Sequence, residues 1–400
     1  MTSLAVAFYG ATAIWLNRST ADLAVQERFC RAWLCPDEFS SERVFELKQE
    51  SAAAQSGRIA AELKRALALD SASAYRWADV GEMMASANEL DAAKYCFQRA
   101  LAAGPHSPVI LFRAANFYFS INDYPQTLHN LSTILRNPEL SEYNNAAFLT
   151  YTRMGIPVDE VLSKGIPPNF IPAQAFLRFL MESNQVADAE TTWKWISQKS
   201  LYDSKTAGEY LGFLIRNKKD EDAAETWRAM NSRSEPDYRQ RNWVFNGSFE
   251  AAPQPSPLDW TIESTSDVQT ARTEGVAKDG RWSLKLVFAG NENVDFHQVF
   301  QQTVLKPGKW RARAFVKTDA LTTDLGISLR VCDAVEPRFL DVATEPLTGT
   351  HDWTGVERTF QVGPQTALVR VEIARHPTFR FDNKIAGTAW VDSVELSPAP

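Results

Sequence analysis

Chemistry in a chain starts from side chains that can ionise, coordinate or stack, and here the ionisable ones are dispersed. The five histidines, His106, His129, His297, His351 and His376, form neither a His-Glu-x-x-His nor a Cys/His ligand spacing. There is no phosphate-cradling glycine loop and no Gly-x-Ser-x-Gly elbow. His351-Asp352, beside Trp353, is the nearest approach to a catalytic pair, but neighbours in sequence point apart in a strand, and the segment reads as a turn. Glycoside hydrolysis needs two carboxylates at a fixed separation, and no Asp or Glu is singled out for it. The catalytic set is therefore empty and no enzyme activity is expected. Stacking residues are better grouped. If Phe296-His-Gln-Val-Phe-Gln-Gln302 is a strand, Phe296, Gln298, Phe300 and Gln302 share one face, with His297, Val299 and Gln301 on the other. Phe379, Arg380, Phe381 and Asn383 would add a loop wall. Rings flanked by amides suit a pyranose, which offers an apolar face edged by hydroxyls. The competing reading puts these phenylalanines in a core, so that the fold is kept and the ligand lost.

A second kind of site needs a helical scaffold, and the segment from Ala74 to Ser107 supplies its signature. Trp77, Val80, Gly81, Met84, Ala93, Phe97, Ala100 and Pro105 fall at relative positions 4, 7, 8, 11, 20, 24, 27 and 32 of a 34-residue unit, the tetratricopeptide pattern. Gly81 and Ala93 mark the closest approach of two helices, Trp77 and Phe97 fill the space between them, and Asn88 to Asp91 make the turn. One period on, Leu111, Ala115, Tyr118, Leu131 and Ile134 repeat the spacing, and Pro138 closes the copy. Asp188-Ala-Glu-Thr-Thr-Trp193 is answered 34 residues later by Asp222-Ala-Ala-Glu-Thr-Trp227. First helices of such repeats line a groove, here offering Tyr75, Ala78, Glu82 and Ala85, then Phe112, Asn116, Phe119 and Ser120. With no lysine among them, the groove suits an apolar or mixed peptide of a protein partner; the alternative is a stacked spacer with no partner.

The rest of the chain is ordered around these two sites. Ser3 to Leu16 is an uncharged apolar run followed by Asn17 and Arg18, short for a bilayer span of about 20 residues. It reads as an anchor with its start upstream of Met1, as a secretory signal with Ala11-Thr-Ala13 at the cleavage site, or as a buried first helix. Helices are expected over Leu23 to Leu34, Ser41 to Ala54 and Arg58 to Leu69, a less regular stretch from Ser141 to Pro172, and two further hairpins over Ala173 to Lys199 and Ser204 to Ser232. Residues 233–241 form a polar linker. Beyond Asn242 the period changes to alternation, in Trp282 to Phe288, Trp310 to Val316, Ile327 to Val331, Leu368 to Ile373 and Thr388 to Leu396. Separated by Pro307-Gly308, Thr348-Gly349-Thr350 and Val362-Gly363-Pro364, these predict an antiparallel sandwich. The fold class is thus multidomain α + β: a segment over 1–18 that anchors or signals, an all-α repeat solenoid over 19–232, the linker, and an all-β jelly roll over 242–400.

Asn246-Gly-Ser-Phe-Glu250, Trp260, Lys306-Pro-Gly-Lys-Trp310 and Trp390-Val-Asp-Ser-Val394 give the second domain its resemblance to carbohydrate-binding-module jelly rolls of the galactose-binding type, over roughly Asn242 to Ser397. The whole chain resembles bacterial envelope proteins that join tetratricopeptide repeats to such a module and accompany exopolysaccharide or O-antigen export. Asn293 to Phe296, Leu347 to Trp353 and Phe381 to Gly387 carry that likeness. It implies a jelly roll that binds polysaccharide through Phe296, Gln298, Phe300, Phe379, Phe381 and Asn383. It also implies a structural calcium held by Glu250 and Asp392, which would need further carbonyl oxygens. Beyond that ion no cofactor is required. The location it implies is the bacterial envelope, periplasmic and anchored at the N-terminus.

Composition agrees with this and excludes other classes. The 400 residues are 44% hydrophobic and 23% charged, ordinary globular usage for two or three domains. A net charge of −7 without a basic, aromatic-interleaved stretch excludes nucleic acid as the main partner. Four cysteines make no disulfide scaffold; only Cys30 and Cys35 are spaced to meet, against a reading as reduced thiols. The function expected is a non-enzymatic envelope scaffold. Its alternatives are a carbohydrate-active enzyme with carboxylates in the sandwich cleft and an assembly factor with no small ligand.

Overall fold

A computed structural model of the chain describes residues 72–400. The apolar run at Ser3 to Leu16, the three helices expected before Asp70, and Cys30 and Cys35 lie outside the described residues. Among those described, no helix is long and apolar enough to cross a membrane. The chain divides after Leu201 into two compact units.

In the first unit, α1 (Ala74–Ser86) and α2 (Leu90–Ala103) form one hairpin, and α3 (Pro108–Ser120) and α4 (Tyr124–Leu135) the next. Their starts, Ala74 and Pro108, then Leu90 and Tyr124, are each 34 residues apart. So are the residues that reverse the chain, Asn88 and Asn122, both at φ 59. Asparagine tolerates this left-handed conformation better than most side chains. Ser73 caps α1 by accepting from the Arg76 N–H, Pro108 opens α3 where no donor is missed, and Asp123 caps α4. Gly81 has no side chain because a Cβ would lie 3.0 Å from the Phe97 ring, and Phe97 in turn stacks on Phe117 at 4.6 Å. Leu90 and Asp91, expected in the turn, already belong to α2. After α5 (Asn144–Arg153), a single π-turn over Val161–Gly165 bends the chain, and the buried Tyr151 hydroxyl donates to the Gly165 carbonyl at 3.0 Å. The hairpin of α6 (Phe170–Glu182) and α7 (Val186–Gln198) completes the unit.

The second unit begins with another hairpin, α8 (Ser204–Arg216) and α9 (Asp220–Asn231), which starts 34 residues after the previous one and stands in one body with the strands. A Cβ at Gly208 would fall 1.7 Å from the Pro255 carbonyl oxygen, so only glycine lets α8 lie against that backbone. Trp227 of α9 meets Phe245 edge-on at 4.9 Å, and Tyr238, within the stretch expected as linker, is buried against the other side of Phe245.

Ten strands follow: β1 (Thr261–Ile262), β2 (Val268–Glu274), β3 (Trp282–Ala289), β4 (Phe296–Val304), β5 (Gly308–Leu321), β6 (Ser328–Asp333), β7 (Asp341–Ala343), β8 (Gly349–Val362), β9 (Leu368–Arg375) and β10 (Ala386–Pro398). They make two antiparallel sheets, β1-β4-β9-β6-β7 and β2-β3-β10-β5-β8, closed over one core that includes Leu284, Leu286, Val299, Trp310, Val331, Val371 and Val391. The opening motif is stitched to the last strand. Gly247 accepts from the Val394 N–H at 2.8 Å, and a Cβ there would meet the Val394 oxygen at 2.1 Å. Phe249 and Trp260 pack together behind it. His351 and Asp352, expected in a turn, lie in β8 at the edge of the second sheet, with Asp352 paired to Lys317 at 2.8 Å. Most of β8 is exposed, so it lacks the alternation that marks a strand.

Candidate functional site

The residues expected to bind sugar fall on strand β4 and on the loop between β9 and β10, and the structure treats the two differently. In β4 the register shifts between Phe296 and Val299, which pair with Arg375 and Ile373 of β9. One residue more on β4 than on its partner is a bulge, and a bulge returns both Phe296 and Val299 to the core. Phe296 is fully buried against Phe288, so it does not share a face with Phe300 and cannot stack on a sugar. Gln298 is spent inside the bulge, where its side-chain oxygen accepts from the His297 N–H at 2.9 Å.

Beyond the bulge Val299, Gln301 and Thr303 turn inward, and Phe300 and Gln302 turn out. Phe300 lies opposite Glu372, and Glu372 opposite Arg330, across three neighbouring strands. The outward row is locked by charge. Arg330 reaches Glu372 at 2.9 Å and Asp341 at 2.8 and 2.9 Å, and Arg370 reaches Glu372 at 2.6 Å. The Arg370 guanidinium covers the Phe300 ring at 3.6 Å, the face a sugar would use. Burial works to raise the Glu372 carboxyl, but His297, Arg370 and Arg330 outweigh it and hold the group below the usual carboxylate range. Burial pushes the neighbouring Cys332 thiol up to about 11, which leaves it protonated and inert.

The other surface is the loop between β9 and β10. Phe379 and Phe381 are 105% and 106% exposed. The loop that carries them is tied at both ends. The Asn293 side chain accepts from the Thr378 N–H at 3.1 Å and donates to the Thr378 carbonyl at 2.8 Å. Arg375, fully buried at the end of β9, donates to the carbonyls of Asn383 (3.1 Å) and Leu325 (3.3 Å), to Asn293 Oδ1 (2.8 Å) and to the Val294 carbonyl. Arg380 between the two rings pairs with Asp324 at 3.0 Å. Two apolar rings are thus held out in water by a polar anchor.

The calcium expectation does not fit the residues present. Both Asp392 oxygens accept backbone N–H groups, of Lys278 (2.7 Å), Asp279 (3.1 Å) and Ser393 (2.6 Å), and Glu250 Oε1 accepts those of Arg281 (2.8 Å) and Trp282 (2.9 Å). The carbonyls of Phe249 and Glu250, which a calcium would recruit, accept from the Arg272 guanidinium at 2.7 and 2.8 Å. A cation there would face a guanidinium and five N–H dipoles aimed at its ligands.

Of the groove residues, Asn116 is exposed and Tyr75 half-buried. Phe112 meets Tyr143 edge-on at 5.6 Å, Phe119 stacks on Tyr124 at 6.3 Å, and Glu82 is held by Arg113 at 2.6 Å. Ala78 is fully buried and offers nothing to a partner.

Sequence reasoning missed the ionic row. Its signal was present in Leu368-Val-Arg-Val-Glu-Ile373 and Ile327-Ser-Leu-Arg-Val331, where alternation puts Arg370, Glu372 and Arg330 outward, but the pairing of β9 with β6 is not written in either segment.

No family model matches this sequence and no curated protein matches it. Solved structures do. A CBM4 structure is 18% identical, covering 39% of this chain and 99% of its own, with a TM-score of 0.30. The likeness is to carbohydrate-binding modules. A TmCBM61 structure in complex with β-1,4-galactotriose is 14% identical, covering 40% and 100%, with a TM-score of 0.29. The CBM22-1 xylan-binding domain from Paenibacillus barcinonensis Xyn10C is 14% identical, covering 38% and 94%, with a TM-score of 0.27. At these identities and scores the likeness assigns no ligand to this chain.

Proposed function

We propose that this chain is a non-enzymatic scaffold of the bacterial envelope, binding polysaccharide through the loop that carries Phe379 and Phe381 and protein partners through its tetratricopeptide-like hairpins. The observation that carries the reading is the pair of fully exposed phenylalanines on a loop anchored by Asn293 and Arg375. Exposing a phenylalanine rather than burying it forgoes about 2 kcal/mol, so two such rings held out by an ordered loop suit a ligand with an apolar face. A pyranose has one, and Asp382 and Asn383, next to Phe381 in the loop, offer polar side chains for its hydroxyls. Preorganisation lowers the ordering cost of such binding.

The test is a glycan panel on the intact chain, with Phe379→Ala and Phe381→Ala variants. We expect saturable binding that weakens at least ~10-fold in either variant, worth about 1.4 kcal/mol. A folded chain that binds no glycan, or binds equally well without the rings, overturns the polysaccharide part. The envelope location rests on the resemblance and on the apolar run before Asn17. Carbonate extraction that leaves the native chain wholly in the supernatant would count against the anchor.

A further inference from the structure

At the foot of the phenylalanine loop, three donor atoms from two segments converge. His297 Nε2 lies 2.8 Å from Asp295 Oδ1, and His376 Nδ1 lies 3.7 Å from the same oxygen. One ligand atom from each residue falls within 4.8 Å of the other two. A tetrahedral zinc with ligand distances of about 2.0 to 2.1 Å requires donors roughly 3.3 Å apart, so modest side-chain rotations from the present positions suffice. We infer that Asp295, His297 and His376 form a binding site for a zinc-like divalent cation.

The partners of His297 suit a ligating histidine. Both ring nitrogens of His297 face carboxylates, Nδ1 towards Glu372 Oε2 at 3.1 Å and Nε2 towards Asp295. In the tautomer that donates Nδ1–H to Glu372, the Nε2 lone pair is directed to the side where Asp295 Oδ1 and His376 Nδ1 lie, as a ligating nitrogen requires. Glu372 completes the pattern in which a carboxylate behind a ligating histidine fixes its tautomer and raises its basicity. Glu372 itself is engaged by Arg330 and Arg370 and does not enter the ligand set.

The frame is already built. Val294, whose carbonyl Arg375 holds, immediately precedes Asp295, and Arg375 itself immediately precedes His376, so one buried guanidinium fixes the backbone under two of the three ligands. Imidazole with carboxylate suits zinc over calcium or magnesium, which prefer oxygen donors alone. Asp295 and His376 have side chains 57% and 47% exposed, which leaves a fourth position open to water.

The experiment titrates Zn²⁺ into the full chain, stripped of metal with a chelator, by calorimetry, and repeats it with Co²⁺ read by its visible ligand-field absorption. One equivalent should bind, weakened at least 10-fold in both His376→Ala and Asp295→Asn, while Phe381→Ala binds as the parent does. His376 is at the surface, so its variant is expected to fold, and an unchanged circular dichroism spectrum checks this. Absence of saturable Zn²⁺ binding, or binding that both ligand variants leave unchanged, overturns the site.

Discussion

The two outward surfaces of the first sheet and its neighbouring loop carry aromatic rings to opposite ends. On the sheet, Phe300 is covered by Arg370 and fenced by the Arg330, Glu372 and Asp341 pairs, so every group there already has a partner within the molecule. On the loop, Phe379 and Phe381 touch nothing that hides them, and the polar groups beside them serve to hold the backbone. A saturated surface stabilises, whereas a surface whose anchors are polar and whose rings are free is disposed to bind. The same residue types therefore take different roles according to whether their charges are spent on each other or on the frame.

This contrast can be broken from the sheet side first. Glu372→Ala removes the carboxylate that Arg330, Arg370 and His297 share and leaves two guanidinium groups without their buried counter-charge. The loss is expected to be about 3 to 5 kcal/mol, read by denaturant unfolding of the second unit within the full chain. A loss under about 1 kcal/mol would mean that the row is not structural. A pH series then separates Glu372 from another buried carboxylate near that sheet. Asp259 lies just before β1, and burial pushes it up to about 6, against about 3.9 for an unfolded aspartate. Its contribution is thus complete below about pH 4 and is lost as pH rises through 6, whereas that of Glu372 is present above the ordinary glutamate range and lost as pH falls through its depressed value. Asp259→Asn should remove a decline on the order of 2 to 3 kcal/mol between pH 4 and 7, and an unchanged pH profile would contradict the assignment. The smallest effect on stability belongs to the loop. Phe379→Ala with Phe381→Ala should leave the unfolding free energy within about 0.5 kcal/mol of the parent, since neither ring is packed. A larger drop would show the rings to be structural and sink their role in binding.

Much of the architecture was legible because it is local. The 34-residue period fixed where the helices begin and where Asn88 and Asn122 reverse the chain, and alternation marked five of the strands. The exposed loop was legible too, from phenylalanines set among Arg380, Asp382 and Asn383. What escaped was set by partners distant in sequence. A bulge is a mismatch between two strands, so nothing within Phe296 to Gln302 says that Phe296 turns inward. His351-Asp352 in β8 was read as a turn because an edge strand with one wet face loses its apolar rhythm. Glu250 and Asp392 look like ion ligands in the sequence, and only the fold brings Arg272 and the backbone of 278–282 against them.

The absent side chain at Gly208 has a further consequence, for how this protein can be taken apart or inherited. Because α8 rests directly on the Pro255 carbonyl and Trp227 and Tyr238 close over Phe245, the last helical hairpin is a lid on the strands that follow it. A gene fragment that starts at Asn242 would lose Trp227 and Tyr238 and leave Phe245 bare, whereas one that starts at Tyr202 keeps its own cover. Recombination that moved this β-sandwich to another protein would have to carry two helices with it.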